Sequence, residues 1–130
     1  MKRIIRCTLI LLNVIAGAAV LFAHHSTTAE FDVTRRMTLT GTLTKVDWVN
    51  PHIVVFMDAK AEAWKFESNP PAWFRRVGVS RADFAKAIGQ TITVEGNRAK
   101  DGSLYGYLLK VTFAGGNSLE LVAAQADGNP

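Results

Sequence analysis

Hydrophobic and polar positions alternate along much of the chain, and this period of two predicts β-strands. The segment MTLTGTLTKVDWV alternates threonine with apolar residues. Its apolar positions change phase, because Leu39 and Leu43 share one face whereas Val46 and Trp48 share the other. This change, placed just after Gly41, predicts a bulge or sharp bend that carries one long strand between two sides of a barrel.

Five further segments carry a strand pattern. HIVVFMDAK is apolar on both faces and predicts a central strand, and EAWKFES predicts a third strand with Trp64 and Phe66 facing inward. Towards the end of the chain, QTITVEG, YGYLLKVTFA and SLELVAA predict two or three more strands. Turns are expected at Asp101-Gly102 and around Gly116, where turn-forming residues cluster.

The period changes between the third and fourth predicted strands, where two short helices are expected. NPPAWFRRVG offers Asn69 as a cap, prolines at the first helical positions and Gly78 as the end. SRADFAKAIG offers Ser80 as a cap, Asp83 three residues later and Gly89 as the end.

The order of three strands, a helical insertion and two or three strands is that of an OB-type barrel. We therefore predict a mostly β domain, an OB-like barrel of five to six strands, at residues 37–123. A plain antiparallel β-sandwich is the alternative. Residues 24–36 are expected to form a polar leader, and residues 124–130 a frayed tail.

The start of the chain has the layout of a secretory signal peptide. Three basic residues precede an apolar run at residues 7–22, and Ala23 closes the run. The run is shorter than the roughly 20 residues that a spanning helix needs, although an uncleaved anchor is the alternative. Cleavage after Ala23 is expected, with Ala18 or Ala19 as competing positions, and the protein would then be periplasmic or secreted.

Removal of residues 1–23 changes the composition of what remains. It would leave 107 of the 130 residues, enough for one domain, and would lower the formal net charge from +4 to +1. Arg75, Arg76 and Arg81 form the only dense basic group and predict a solvated helix face, so nucleic-acid binding is not expected. The single cysteine, Cys7, lies in the signal, which excludes disulfides and thiolate chemistry from the mature domain.

The sequence contains no recognisable catalytic constellation. No serine stands in a nucleophile elbow, and no glycine-rich phosphate loop is present. Asp47 and Glu67 lie near predicted strand ends where an acid and a base could meet, but solvated surface carboxylates are the favoured interpretation. The chain is therefore predicted not to be an enzyme, a metal-centred oxidation being the one chemistry that would fit.

His52 lies in the segment DWVNPHIVVF, at the end of the first predicted loop. Asn50-Pro51 imposes an extended or turn backbone, so His52 should begin the second strand, close to Trp48. Loops in this position bind ligands in barrels of this type, and we expect a binding surface at Trp48, Asn50 and His52. The alternative is a histidine that bonds a backbone carbonyl.

His24 and His25 follow the predicted cleavage site directly. Cleavage after Ala23 would make His24 the first residue, which offers its α-amine and imidazole to the same ion. His25 or His52 could add a third nitrogen, and such a site suits Cu(II). The sequence thus predicts an exported module with a copper site at His24, His25 and His52. The alternative is that the two adjacent histidines belong to a solvated leader.

A second function remains open. The chain could be a periplasmic accessory domain that docks on another exported protein or polymer through Trp48, Trp73 and neighbouring aromatic residues. Packing in the core is the alternative role for both tryptophans.

Several segments together resemble a known family. The segments AHHS, EFD, LTGTLTKVDWVNPH, WKFES, FRRVGVSRADF and ITVEGNRAKDGS are similar to those of small exported bacterial proteins classed as a domain of unknown function. The resemblance runs from His24 to about Leu121, and its most specific parts are the His-His-Ser start and the Asn50-Pro51-His52 turn. It implies export and a compact, mostly β domain, but no activity.

Overall fold

The computed structural model describes residues 27–121. Their elements, in chain order, are α1 (Thr27–Glu30), β1 (Phe31–Asp47), β2 (Val54–Ala59), β3 (Glu62–Glu67), α2 (Pro71–Arg76), α3 (Arg81–Ala87), β4 (Thr91–Ala99), β5 (Tyr105–Thr112) and β6 (Ser118–Glu120). The predicted signal peptide, the His24-His25 pair and the predicted tail lie outside these residues. No helix within residues 27–121 is long and apolar enough to cross a membrane.

The strands form one sheet in the order β3-β2-β1-β4-β5-β6. Neighbouring strands are antiparallel, and an additional parallel pairing of β3 with β5 closes the first five strands into an uneven ring. Both helices of the insertion lie between β3 and β4 in the chain. This arrangement confirms the predicted OB-like barrel, with six strands, rather than the sandwich.

Strand β1 pairs with a different strand at each end, as its change of phase predicts. Its first part pairs with β4 and its last part with β2, and the register with β2 shifts between Leu43 and Lys45. Leu39 and Leu43 are buried before the shift, and Val46 and Trp48 pack against the same core after it. The bulge therefore lies just beyond Leu43, slightly later than the predicted position after Gly41.

The first strand begins earlier than the alternation of threonines indicates. Phe31 already pairs with Ala99 of β4, six residues before the predicted start at Met37. The Phe31 side chain is only 2% exposed and belongs to a second apolar cluster with Ala99 and Tyr107. The alternation in this segment is limited to Phe31 and Val33, and Val33 is exposed, so this part of the predicted leader was not recognised as strand.

The helical insertion closely follows its sequence signals at most positions. Ser80 and Asp83 form a reciprocal capping box at the start of α3, in which the Ser80 N–H donates to Asp83 Oδ2 at 2.9 Å. Gly78 and Gly89, which follow the two helices, have φ angles of +76° and +83°. These left-handed conformations end the helices at low cost because glycine has no Cβ.

The predicted cap of α2 is wrong. Its N-cap is Pro70, which makes no side-chain cap bond. The Asn69 side chain instead accepts a hydrogen bond from the hydroxyl of Tyr107 at 2.9 Å, inside the protein. Tertiary contact with β5 has therefore replaced a local capping bond.

The core fills the ring and extends under the two helices. Trp64 and Phe66 point inward as predicted, with 5% and 0% of their surfaces exposed. Phe74 of α2 and Phe84 of α3 are fully buried and contact each other edge to face at 5.8 Å. The helices therefore contribute aromatic side chains to the same core as the strands.

Candidate functional site

His52 lies in the loop that follows β1, two residues before β2 begins. The backbone on either side of it is fixed, because Ile53 N–H donates to Asn69 O at 3.2 Å and Ser68 N–H donates to Ile53 O at 2.9 Å. These bonds extend the pairing of β2 with β3 beyond the strand ends, where Val54 faces Glu67. The fold therefore holds His52 beside the end of β3.

The carboxylate of Glu67 contacts the His52 ring. His52 Nδ1 lies 2.5 Å from Glu67 Oε1, and the two side chains are 35% and 17% exposed. Two lone pairs would repel at this distance, so Nδ1 carries a proton that faces the carboxylate. In the neutral imidazole, Nε2 is then the nitrogen with a free lone pair, the form in which histidine binds metals.

Glu67 also binds Tyr105 of β5. The parallel pairing of β3 with β5 sets Lys65 opposite Tyr105 and Glu67 opposite Tyr107. The Tyr105 hydroxyl donates to Glu67 Oε2 at 2.5 Å, so both carboxylate oxygens have a partner. We call His52, Glu67 and Tyr105 the His52 network.

Burial and negative charge act on both tyrosines of the chain. Burial raises the pKa of Tyr105 strongly, and its hydrogen bond to Glu67 and the charges of Glu67 and Glu30 raise it further. Burial also raises the pKa of Tyr107, with a smaller contribution from the Glu67 charge. Tyr105 therefore stays a neutral hydrogen-bond donor throughout the ordinary pH range.

Alkaline titration should detect the raised pKa values directly, because Tyr105 and Tyr107 are the only tyrosines in the chain. In the folded protein, tyrosinate absorbance should appear only well above the ordinary tyrosine pKa of about 10, whereas denatured protein should titrate near 10. Since the pKa values are raised in the folded state, stability is intact below about pH 10 and falls as pH rises through the raised values. Tyrosinate appearing near pH 10 in protein with native circular dichroism would contradict the assignment.

The start of the described chain lies against the same tyrosines. The Phe31 ring packs edge to face on Tyr105 at 5.1 Å and tilted on Tyr107 at 5.6 Å. Lys100 holds the preceding turn, its Nζ donating to Thr28 O at 2.7 Å. We call residues 27–31 the amino-terminal arm.

The predicted histidine pair is tethered to this arm by a short length of chain. His25 is two residues before Thr27, and two extended residues span at most about 7 Å. The arm contacts Tyr105, and Tyr105 is bonded to the carboxylate that contacts His52. A continuous set of contacts therefore connects the arm to His52.

The other predicted binding residues have different surroundings. Trp48 is half-buried and packs on Phe74 and Phe84 at 5.3 and 5.9 Å, and Trp73 contacts Phe74 at 5.1 Å. Asn50 is exposed, and its peptide bond to Pro51 is cis. Both tryptophan side chains therefore pack partly against the core.

The carboxylates considered as an acid and base pair have separate partners. Asp47 pairs with Lys45 at 2.7 Å, whereas Glu67 contacts His52 and Tyr105. Within residues 27–121, no three histidine, cysteine or acidic side chains form a cluster able to hold a metal ion.

Sequence reasoning did not find Tyr105 or Phe31. Phe31 lies in the predicted polar leader. Tyr105 lies in a strand pattern that gives no sign of a site, and its proximity to Glu67 depends on the parallel pairing of β3 with β5. The strand order of the predicted OB-like barrel was the available signal, because it places these two strands side by side.

Comparisons with known proteins add a family but no activity. Residues 11–108 match the family model DUF6152, a family of unknown function. No curated protein matches the chain. One solved structure, a crystal structure of TiaS in complex with a transfer RNA and ATP, is similar with 21% identity and a TM-score of 0.45. That match covers 70% of this chain and only 19% of the other.

Proposed function

We propose, for a chain that belongs to the DUF6152 family of unknown function, that it is an exported, non-enzymatic module that binds one Cu(II) ion. The ligands would be the α-amine and imidazole of His24, with His25 and His52 adding further nitrogens. The observation that carries the proposal is the contact of His52 Nδ1 with Glu67 at 2.5 Å. Metal-binding histidines commonly have such a carboxylate partner on the nitrogen that does not bind the metal.

The His52 network supplies an oriented ligand. Glu67 restricts rotation of the ring and keeps the proton on Nδ1, while 35% of the His52 side chain remains open to solvent. A ligand that is already oriented loses less entropy when it binds an ion. His52 is therefore a better prepared ligand than a freely rotating surface histidine.

The amino-terminal arm supports the participation of the terminal residues. Phe31 packs on Tyr105, and Lys100 holds the carbonyls of Thr28 and Glu30. Residues 28–31 are thus anchored to the barrel, and they follow the two histidines closely in the chain. Nitrogen ligands favour Cu(II) among the first-row divalent ions, so copper is the first ion to test.

Copper titration of the mature protein tests the proposal. Protein beginning at His24 should bind one Cu(II) in calorimetry, and the same protein with its α-amine acetylated should bind at least about tenfold more weakly. Acetylation removes the six-membered chelate between the α-amine and Nδ1 of the His24 imidazole, which is the kind of preorganisation that supports affinity. The mass of the exported protein establishes whether His24 is the natural first residue.

His52→Ala separates a structured site from a loose terminal chelate. It should weaken copper binding in the protein that begins at His24, while Lys86→Ala, an exposed change on α3, should leave the affinity unchanged. Equal affinities for protein with a free and with an acetylated α-amine would contradict the proposal. A His52→Ala variant with native affinity would remove His52 from the ligand set.

Docking on another exported protein is the second candidate. Trp48 and Trp73 both contact Phe74 and are only half-buried. Val49 directly follows Trp48 and is 54% exposed, and Val77 follows helix α2 and is 47% exposed. Copper-independent capture of one periplasmic protein, lost on changing Val49 and Val77 to serine, would favour this candidate. Capture that persists in the double variant would count against it.

A further inference from the structure

We infer that the helical insertion is a docking surface for an anionic lipid bilayer, which its basic side chains and its exposed apolar side chains contact together. The insertion is residues 70–90, between β3 and β4, and contains α2 and α3. The inference goes beyond the proposed function and does not depend on copper binding, because it uses none of the three predicted copper ligands.

Charge is distributed unevenly between the insertion and the rest of the domain. The insertion contains four basic residues and one acidic residue. The remainder of residues 27–121 contains eight basic and nine acidic residues, so it is close to neutral. The net positive charge of the described chain therefore lies on the insertion.

The basic side chains of the insertion are exposed. Arg75 and Arg76 end α2, and Arg81 begins α3. Within residues 27–121, none of these three arginines has a carboxylate within ion-pair distance. The acidic residue of the insertion, Asp83, accepts the capping bond at the start of α3 and lies 3.9 Å from Lys86. The three arginines are therefore available to an anionic partner.

Exposed apolar side chains lie beside these charges. Val77 directly follows Arg76 at the end of α2, and Ile88 directly follows the last residue of α3. Both side chains are 47% exposed. Trp73 of α2 is half-buried and contacts Phe74. The same two short helices thus carry both unpaired cations and exposed apolar groups.

The core holds this surface in place. Phe74 and Phe84 join the two helices by their edge-to-face contact, and Trp48 packs on both rings. Beyond α3, Gly89 N–H donates to Leu43 O at 2.8 Å and ties the end of the insertion to β1. A surface that is formed before binding loses less entropy when it meets its partner.

The combination of cations and apolar groups favours a lipid surface over a nucleic acid. Each arginine or lysine near an anionic bilayer raises affinity about fivefold. Exposed apolar side chains add to this by entering the boundary between headgroups and acyl chains. A phosphate backbone would attract the arginines but offers no such boundary to Val77 and Ile88. Because α2 and α3 have six and seven residues and a span needs about 20, the contact is peripheral.

Vesicle co-sedimentation tests the inference with protein that begins at His24, so that the predicted signal peptide does not contribute. The protein should bind vesicles of equal parts phosphatidylglycerol and phosphatidylcholine, and should not bind vesicles of phosphatidylcholine alone. Binding should weaken as salt is added, because salt screens exposed charges. Absence of binding to the anionic vesicles would overturn the inference.

Two pairs of adjacent arginines separate a specific surface from net charge. Arg75→Gln with Arg76→Gln should weaken vesicle binding about 25-fold, from about fivefold for each charge. Arg35→Gln with Arg36→Gln is the matched control, because both arginines are exposed and the charge change is the same. Arg36 lies opposite Asn97, at the other end of β4 from the insertion. Equal losses in the two double variants would overturn the inference.

The apolar part of the surface has its own matched control. Val77→Ser with Ile88→Ser should weaken binding to anionic vesicles several-fold, because less apolar surface enters the bilayer. Val33→Ser, at a valine of β1 that is 56% exposed, should leave binding unchanged. Circular dichroism checks that each variant is folded. Unchanged binding in the Val77 and Ile88 double variant would overturn the entry of these side chains into the bilayer.

A single-stranded oligonucleotide provides the alternative partner. Binding of the oligonucleotide that depends on Arg75 and Arg76, without binding of anionic vesicles, would assign the surface to nucleic acid and overturn the inference. Purified protein and lipid are the only components of the vesicle experiment. Its result is therefore independent of copper and of the capture of a periplasmic protein through Val49 and Val77.

Discussion

Replacement of Phe66 by alanine is expected to lower the free energy of unfolding by about 3–5 kcal/mol, the usual cost of truncating a buried aromatic side chain. Phe66 is 0% exposed and stacks on Trp64 with ring centres 6.1 Å apart. Its ring also lies against the backbone at two glycines, Gly96 and Gly106. Glycines have no side chain that could move into the space, so a cavity should remain.

Chemical denaturation of the Phe66→Ala variant measures this cost. Phe56→Ala is the matched control, because Phe56 lies on the neighbouring strand β2, is only half-buried and contacts Lys45 near the surface at 4.9 Å. The control should lose much less stability. A loss below about 1 kcal/mol for Phe66→Ala would mean that Phe66 does not pack in the core.

Replacement of Gly41 by alanine is expected to cost about 3 kcal/mol, at the upper end of what overpacking a well-packed site costs. A Cβ at Gly41 would stand 2.1 Å from the carbonyl oxygen of Asp58 and 2.9 Å from Cβ of Ala59. Because the nearest atom belongs to the backbone of β2, the clash cannot be relieved by rotation of a side chain. Strands β1 and β2 would have to separate where β1 passes from one neighbour to the other.

Gly115→Ala is the control for this second prediction. Gly115 has no atom within 4 Å of an added Cβ and does not have a positive φ angle. Its replacement should change stability little and could raise it slightly, since alanine restricts the unfolded chain more than glycine does. Equal losses in the two variants, measured by thermal and chemical denaturation, would contradict the close approach of β1 and β2.

Much of the secondary structure could be predicted from local patterns. Ser80 and Asp83 are spaced for a capping box, and the structure contains that box. The change of phase between Leu43 and Val46 predicted a bulge, and the strand register shifts there. Both features depend on residues close together in the chain, which is why their signals are visible in the sequence.

The candidate site was only partly predictable. The Asn50-Pro51-His52 segment indicated where His52 would lie. Nothing local indicated that the Glu67 carboxylate would contact both His52 and Tyr105. Glu67 and Tyr105 are brought together by the pairing of β3 with β5, which are separated in the chain by the helical insertion and β4. Local propensity contains no information about such a register.

The sequence by itself determined most of the strands, the two helices of the insertion and their order, because periodicity, capping residues and turn residues act over a few neighbouring positions. The OB-like barrel was predicted from that order. Tertiary structure alone decided that Phe31 is strand and core, that Asn69 bonds Tyr107 rather than capping α2, and that Tyr105 meets Glu67. In each case a long-range partner supplied burial or a hydrogen bond that outweighed the local preference. Local sequence signals therefore determined the secondary structure, whereas strand pairing across the closed ring brought the residues of the candidate site together.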